Sequence, residues 1–187
     1  IAASVAAVVA ASALAAGAPA PVNPAPPPIV VNITAAANVS DSLVAMMIAE
    51  TEAVFRSVGA SFIWRRGERS STSLSVAIGN DHGSAPADET PLGWITFEDG
   101  HPDQLIYLSY ANAMRYLEES SGVVGIRNGM TRAERDMLLA RALGRALAHE
   151  LGHYLLATKT HTPKGLLKAV RTAYEFFAPD RRRFDLE

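Results

Sequence analysis

His149 and His153 stand four residues apart, and Glu150 directly follows the first of them, in an H-E-x-x-H pattern. On an α-helix, residues i and i+4 lie on one face, one turn apart. Two imidazoles so placed can bind one Zn²⁺ ion, each through a ring nitrogen at about 2.0–2.1 Å. Glu150 would lie beside the ion without being forced to coordinate it, where a general base can activate a zinc-bound water. The alternative is a chance match on a core helix.

The residues around this pattern predict a long, buried helix. Thr131 and Glu134 have the spacing of a capping box, and residues 137–148 are rich in good helix formers. Gly144 and Gly152 weaken such a helix, and a glycine in a buried helix indicates close approach by another backbone. A motif on a strongly predicted helix, with another histidine after it, favours the metal site over the chance match.

A catalytic zinc ion has three protein ligands and one open position, so a third ligand is needed. One candidate is His161, in the loop that must follow the helix. The other is Glu175, on a second helix predicted over residues 163–177, with Thr162 as its cap and Pro163 as its first residue. The residues alone leave both candidates open.

Length and composition restrict the class of protein. The 187 residues are 49% hydrophobic, which suits one domain with a sizeable core, and we place it at residues 29–187. The net charge is −2, with no basic stripe, so no nucleic-acid partner is expected. Residues 181–183 are a short arginine run, interpreted as a solvated end. The absence of cysteine excludes disulfides, thiolate ligands and a cysteine nucleophile.

The first 28 residues read as targeting and linker sequence. Residues 1–20 are nearly all small and apolar and end in A-x-A-like sites, as in a secretory signal peptide. Residues 21–28 are proline-rich and predict an extended linker. We therefore expect an exported protein, periplasmic or secreted, with no stable membrane anchor after signal cleavage.

Between linker and motif, the pattern predicts an α+β fold. A strand over 29–34, a helix over 41–58 and a strand over 61–64 form a βαβ unit, whose strands should be parallel. Further strands are predicted over 74–79, 92–98 and 104–109, and a helix over 110–119. Two histidines and three tyrosines outside the motif are interpreted as surface, core or rim residues: His82, His101, Tyr110, Tyr154 and Tyr174.

This order of elements, ending in a helix with His149-Glu150-Leu151-Gly152-His153, resembles the zincin metallopeptidases, and among them the metzincins. It is more similar still to a group of exported bacterial proteins with Ala-His-Glu-x-Gly-His-x-Leu-Leu and a later His-Ser/Thr-x-x-Gly-x-Met. In this chain the later segment is residues 161–167, with Leu167 in place of the methionine. The resemblance covers residues 29–171 and implies a small mixed twisted sheet, a helix packed on it and a long active-site helix.

The resemblance also implies the site. His149, His153 and His161 would be the zinc ligands and Glu150 the base, and the tail around His161 favours it over Glu175. A glutamate on the next helix, as Glu175 would be, is the third ligand in the thermolysin-like branch. Metzincins place the third histidine six residues after the second, whereas His161 follows His153 by eight, so the chain must return by a longer route.

The expected function is that of a zinc-dependent endopeptidase. The peptide substrate would lie as an added strand along the edge strand predicted over residues 92–98. The alternative is a non-catalytic domain of the same fold, either stabilised by zinc or binding peptides. A closed site with four protein ligands would favour that alternative.

Overall fold

In the part of the chain that the structure describes, one mixed sheet of five strands has the order β2-β1-β3-β5-β4. The structure is a computed structural model that describes residues 27–67, 73–80, 91–122 and 129–185. The predicted signal peptide, most of the linker and His82 lie outside these residues. The strands are β1 (Ile29–Ala35), β2 (Phe62–Arg66), β3 (Leu74–Gly79), β4 (Gly93–Glu98) and β5 (His101–Ser109).

The predicted βαβ unit is confirmed. β1 and β2 are parallel neighbours, and the helix between them is α1 (Asp41–Phe55). Ser40 caps α1, because its hydroxyl accepts a hydrogen bond from the Leu43 N–H at 3.2 Å. A short 3₁₀ turn follows α1, and the left-handed conformation of Gly59, with φ 69°, ends it.

β4 is an edge strand, as predicted. Within the described residues it pairs only with β5, in antiparallel fashion, whereas the contacts of β1 with β2, of β1 with β3 and of β3 with β5 are parallel. α2 (Tyr110–Glu119) continues directly from β5. The α+β fold with a mixed sheet is therefore confirmed.

The predicted motif helix is also present, as the 24-residue helix α3 (Arg132–Leu155). Thr131 and Glu134 form the capping box. α3 packs against α1, α2, β4 and β5 around one apolar core. In the part of the chain that the structure describes, no helix is long and apolar enough to cross a membrane; export stays a prediction.

Gly144 explains how closely α3 approaches α1. A Cβ atom built there would lie 2.7 Å from the Met47 carbonyl oxygen and 2.8 Å from Glu50 Cβ. The Thr51 hydroxyl uses the same contact to donate a hydrogen bond to the Gly144 carbonyl at 3.0 Å. The expected close approach at Gly144 is confirmed, and only a glycine fits there without displacing α1.

The helix predicted over residues 163–177 is wrong. Only α4 (Ala173–Phe177) is helical, and its cap is Thr172 rather than Thr162. Gly165 adopts φ 73°, in the left-handed region, which a right-handed helix cannot contain. Leu166 and Leu167 are instead buried beneath α3, where a Cβ at Gly152 would touch both side chains.

All three arginines of residues 181–183 are exposed, as a solvated end predicts, but one of them also pairs with the body of the domain. Arg181 makes an ion pair at 2.6 Å with Glu50 on α1, whose side chain is buried. Arg182 and Arg183 are largely exposed, as expected. The C-terminal segment is therefore fixed to the body of the domain rather than extending into solvent.

Candidate metal centre and its cleft

Three histidine side chains meet at one end of α3. His149, His153 and His161 each offer a ring nitrogen, and these three atoms lie within 4.8 Å of one another. The ring of His161 stacks on that of His149, with centroids 5.3 Å apart, and lies 4.9 Å from that of His153. The structure thus brings together the three histidines that the sequence analysis proposed as ligands.

Each helical histidine is oriented by a backbone carbonyl. His149 Nδ1 lies 2.8 Å from the Leu166 oxygen, and His153 Nδ1 lies 2.7 Å from the Thr158 oxygen. A carbonyl oxygen can only accept, so both Nδ1 atoms must carry the proton and donate. The neutral form of each ring then has its lone pair on Nε2, the atom that can bind a metal.

The two Nε2 atoms lie only 3.0 Å apart. Two neutral imidazoles with this tautomer would point lone pairs at each other, which is unfavourable unless a proton or a cation lies between them. Burial is the largest influence on both rings; it lowers the pKa of His153 and, together with the nearby cationic side chains, lowers that of His149 to about 4. Protonation is therefore disfavoured, and the two neighbouring Nε2 atoms could instead hold a metal cation.

Two of the three donors have a spacing close to that of ligands in a zinc site. Two nitrogens bound to one tetrahedral zinc at about 2.0–2.1 Å are about 3.3–3.4 Å apart. The observed 3.0 Å between the Nε2 atoms of His149 and His153 is within a few tenths of an ångström of that spacing. His161 lies somewhat farther away, and because its side chain is exposed it has room to adjust.

The longer route from His153 to His161 is a sharp turn at the end of α3. Ala157 has φ 46°, in the left-handed region, and redirects the chain. The Thr158 N–H then donates to the His153 carbonyl at 3.2 Å, while the Thr158 carbonyl accepts from the His153 ring. The two extra residues relative to the metzincin spacing are accommodated in this turn, and His161 still reaches the other two histidines.

Glu150 lies on the side of α3 that faces the edge strand. Its side chain is buried, and a Cβ built at Gly93 on β4 would be 3.3 Å from Glu150 Cγ. Burial raises the pKa of Glu150 to about 8, although a hydrogen bond from the Ile95 backbone opposes the shift. A nearby divalent cation would lower that pKa again.

Glu175, the alternative third ligand, does not join the histidines. In the described residues the metal-ligand group contains only the three histidines. Glu175 is buried; its carboxylate caps α4 through Thr172 and accepts a hydrogen bond from Lys168 Nζ at 2.9 Å. Burial would raise the pKa of Glu175, but these hydrogen bonds and the Lys168 charge lower it to about 2.

The remaining candidate residues lie away from the metal centre. His101 begins β5 and is exposed, with its ring near the Asp99 carbonyl, so it is a surface histidine as expected. Tyr110 and Tyr154 pack partly buried against the core, and Tyr174 is 54% exposed. None of these three tyrosines lines the cleft described below.

A cleft of about 960 Å³ runs between β4 and α3, with the histidines and Glu150 on its wall. Its lining includes three residues that the sequence analysis did not single out: Tyr116, Arg145 and Arg171. The sequence did contain one indication for Arg145. It lies four residues before His149, and therefore on the same face of the helix, and the residues on either side of it are apolar.

We compared the chain with models of protein families, with curated proteins and with solved structures. None of the three comparisons finds a match. Function is therefore inferred from the residues of the chain and their arrangement.

Proposed function

We propose that this protein is a zinc-dependent endopeptidase. The observation that carries the proposal is the pair of ring nitrogens of His149 and His153, which lie 3.0 Å apart while both opposite nitrogens donate to carbonyls. This arrangement is suited to a cation. It lies on the wall of a cleft, beside a buried carboxylate and an edge strand.

His149, His153 and His161 would hold the metal. Zinc, when bound, supplies a Lewis acid that polarises the scissile carbonyl and lowers the pKa of water. The group has three donors in the described residues, and a three-ligand set leaves a position open, as in catalytic rather than structural zinc sites. This favours catalysis over a domain that zinc merely stabilises.

Glu150 would act as the general base. Its carboxylate takes the proton from the attacking water as the water oxygen bonds to the carbonyl carbon, and passes the proton to the amine nitrogen as the C–N bond breaks. Burial against Gly93 and the contact with the Ile95 backbone hold the carboxylate between α3 and β4. The side chain therefore has little freedom to move away from a substrate in the cleft.

β4 would bind the substrate backbone. One side of this strand pairs with β5, and the described residues provide no strand on its other side, along the cleft. An extended peptide can pair with such an edge through main-chain hydrogen bonds. Such pairing would bring a peptide bond beside the histidines and Glu150 without any requirement for a particular side chain.

The first test is the zinc content of the purified protein by elemental analysis, together with hydrolysis of a quenched-fluorescence peptide library. We expect one zinc per chain and metal-dependent cleavage. His161→Ala should lose most of the zinc, since a ligand is removed. Glu175→Gln, which keeps side-chain size and part of the α4 cap, should retain it.

Two results would count against the proposal. A protein that takes up no zinc, even after reconstitution, would show that the three histidines are not a metal site. Zinc bound without cleavage of any library peptide would instead support the non-catalytic alternative.

A further inference from the structure

The cleft continues past His149 towards the middle of α3, and its lining there is cationic. Arg145 lies one turn before His149, and Arg171 lies on the segment that passes beneath that histidine. Arg171 donates a hydrogen bond to the Leu166 carbonyl at 2.9 Å, and His149 donates to the same oxygen. The cationic part of the cleft is therefore joined directly to the candidate metal centre.

Both guanidinium groups are buried and keep an N–H without a partner. The side chains of Arg145 and Arg171 are 0% and 3% exposed. Among the described residues, three buried side-chain polar atoms lack a hydrogen-bond partner: Arg145 Nη2, Arg171 Nε and Trp94 Nε1. Arg145 and Arg171 line this cleft, whereas the ring of Trp94 stacks on Tyr107 of β5. A buried donor without a partner is costly, so an acceptor supplied by a ligand would be favourable here.

The buried carboxylates nearby do not balance the positive charge. Glu50 is shared by Arg145, at 2.8 Å, and Arg181, at 2.6 Å. Glu175 is shared by Lys168 at 2.9 Å and, at 3.8–3.9 Å, by Arg171 and Arg183. Two carboxylates thus serve five cationic side chains, and three of those five, Arg145, Lys168 and Arg171, line the cleft.

We infer that this part of the cleft, formed by Arg145, Lys168 and Arg171, is a subsite for a carboxylate of the peptide substrate. A guanidinium N–H and a carboxylate oxygen form the strong, charge-assisted kind of hydrogen bond. Tyr116 and Phe176, whose rings meet edge to face at 5.9 Å, also line this part and would contact the apolar stem of the group. The inference rests on the proposed peptidase function, since it specifies that enzyme's substrate class.

The carboxylate can come from an acidic side chain close to the scissile bond or from the C-terminus of the peptide. Four peptides that share one otherwise uncharged sequence and one uncharged fluorescent label separate these sources. They carry a central Glu or Gln, each with either a free C-terminal carboxylate or an amide. Binding is measured by fluorescence anisotropy on the zinc-loaded Glu150→Gln variant, which cannot use Glu150 as a base, and on metal-free wild-type protein.

We expect the peptide with the fitting carboxylate to bind roughly 10- to 100-fold more tightly than its neutral counterpart. Tighter binding of the Glu peptides than of the Gln peptides would show that the subsite binds an acidic side chain. Tighter binding of the peptides with a free C-terminal carboxylate than of those with a C-terminal amide would show that it binds a C-terminus. The double variant Arg145→Met, Glu50→Met removes both buried members of the ion-pair cluster, leaves only the half-exposed Arg181 without its partner, and should abolish the preference. Lys168→Met, at a position 32% exposed, tests the same subsite with less risk to folding and should reduce the preference severalfold.

Lys159→Met is the matched control. Lys159 also brings a positive charge to the cleft, but over the ring of Phe97, at the other end of β4. The carboxylate preference should survive this change if it arises from the subsite rather than from the general charge of the cleft.

Equal binding of all four peptides, or no binding of any of them to either protein form, would overturn the subsite. Cleavage of neutral library peptides would then still support the peptidase. If the protein takes up no zinc and cleaves nothing, a carboxylate preference on the metal-free protein would still establish the subsite while the peptidase proposal failed.

Discussion

At the level of single residues, backbone carbonyls decide what the histidines can do. Thr158 and Leu166 each accept a hydrogen bond from an Nδ1–H, which fixes the tautomer of His153 and His149. The Nε2 lone pairs are thereby directed to one point before any ligand arrives. Burial keeps these rings neutral at pH 7, the state in which imidazole binds metal.

Glu150→Gln separates metal binding from catalysis. Glutamine keeps the size of the side chain and the contact with β4, but it cannot accept and return a proton. We expect zinc content to remain at the wild-type level and kcat/KM to fall by about 10²–10⁴-fold, the usual contribution of a general base. Elemental analysis and a fluorogenic peptide assay measure the two quantities. Full activity in this variant would exclude the proposed role of Glu150.

At the level of secondary-structure elements, α3 both packs against the core of the domain and carries residues of the candidate site. Its N-terminal two-thirds is held against α1 through Gly144, and its last turns carry Glu150 and the first two histidines. The position of the histidines relative to β4 therefore depends on how closely α1 and α3 pack.

Gly144→Ala should destabilise the fold although alanine is the better helix former. The added methyl group would meet the Met47 carbonyl oxygen at 2.7 Å, and backbone of a packed helix cannot move aside cheaply. We expect a loss of about 1–3 kcal/mol in the free energy of unfolding, measured by urea denaturation. The matched variant is Gly152→Ala, whose methyl group meets only the side-chain tips of Leu166 and Leu167. Gly152→Ala should therefore lower the free energy of unfolding by less than Gly144→Ala does. A larger loss for Gly152→Ala would show that the contact between α1 and α3 at Gly144 is not the tighter one.

At the level of the whole molecule, the C-terminal segment returns across α3 and connects the site to the core. It supplies His161, the Leu166 carbonyl that orients His149, and α4. Phe184 is buried beneath two guanidinium groups, 5.0 Å from Arg145 and 3.8 Å from Arg171. Loss of this segment would expose both the metal centre and the proposed carboxylate subsite.

This segment predicts an acid-dependent loss of stability. Glu175 has a folded-state pKa of about 2, whereas an unfolded glutamate has a value of about 4.3. Its ionisation therefore stabilises the fold above about pH 4.3, and that contribution, about 3 kcal/mol at most, is lost as the pH falls towards 2. Glu175→Gln should be less stable than wild type at pH 7, and the difference should narrow between about pH 5 and 2.

Urea unfolding at a series of pH values measures the effect. Glu118→Gln removes one carboxylate from the exposed surface of α2 and serves as the control. A constant difference between wild type and Glu175→Gln across this pH range would show that the ion pairs of Glu175 do not contribute as described.

The sequence by itself determined the elements with strong local signals. Period-2 and period-3.6 patterns, the capping box at Thr131 and the spacing of His149 and His153 all depend on neighbours along the chain, so they could be interpreted without tertiary contacts. The helix prediction failed at residues 163–172. Thr162 and Pro163 have the local pattern of a helix start, but Gly165 adopts a positive φ, and Leu166 and Leu167 are buried beneath α3.

Only the tertiary structure decided that His161 joins the other histidines and that Glu175 belongs to an ion-pair cluster instead. It also showed that Arg145 and Arg171 line one cleft. These contacts join residues that are far apart in the sequence, and no local pattern records how close such residues lie in space.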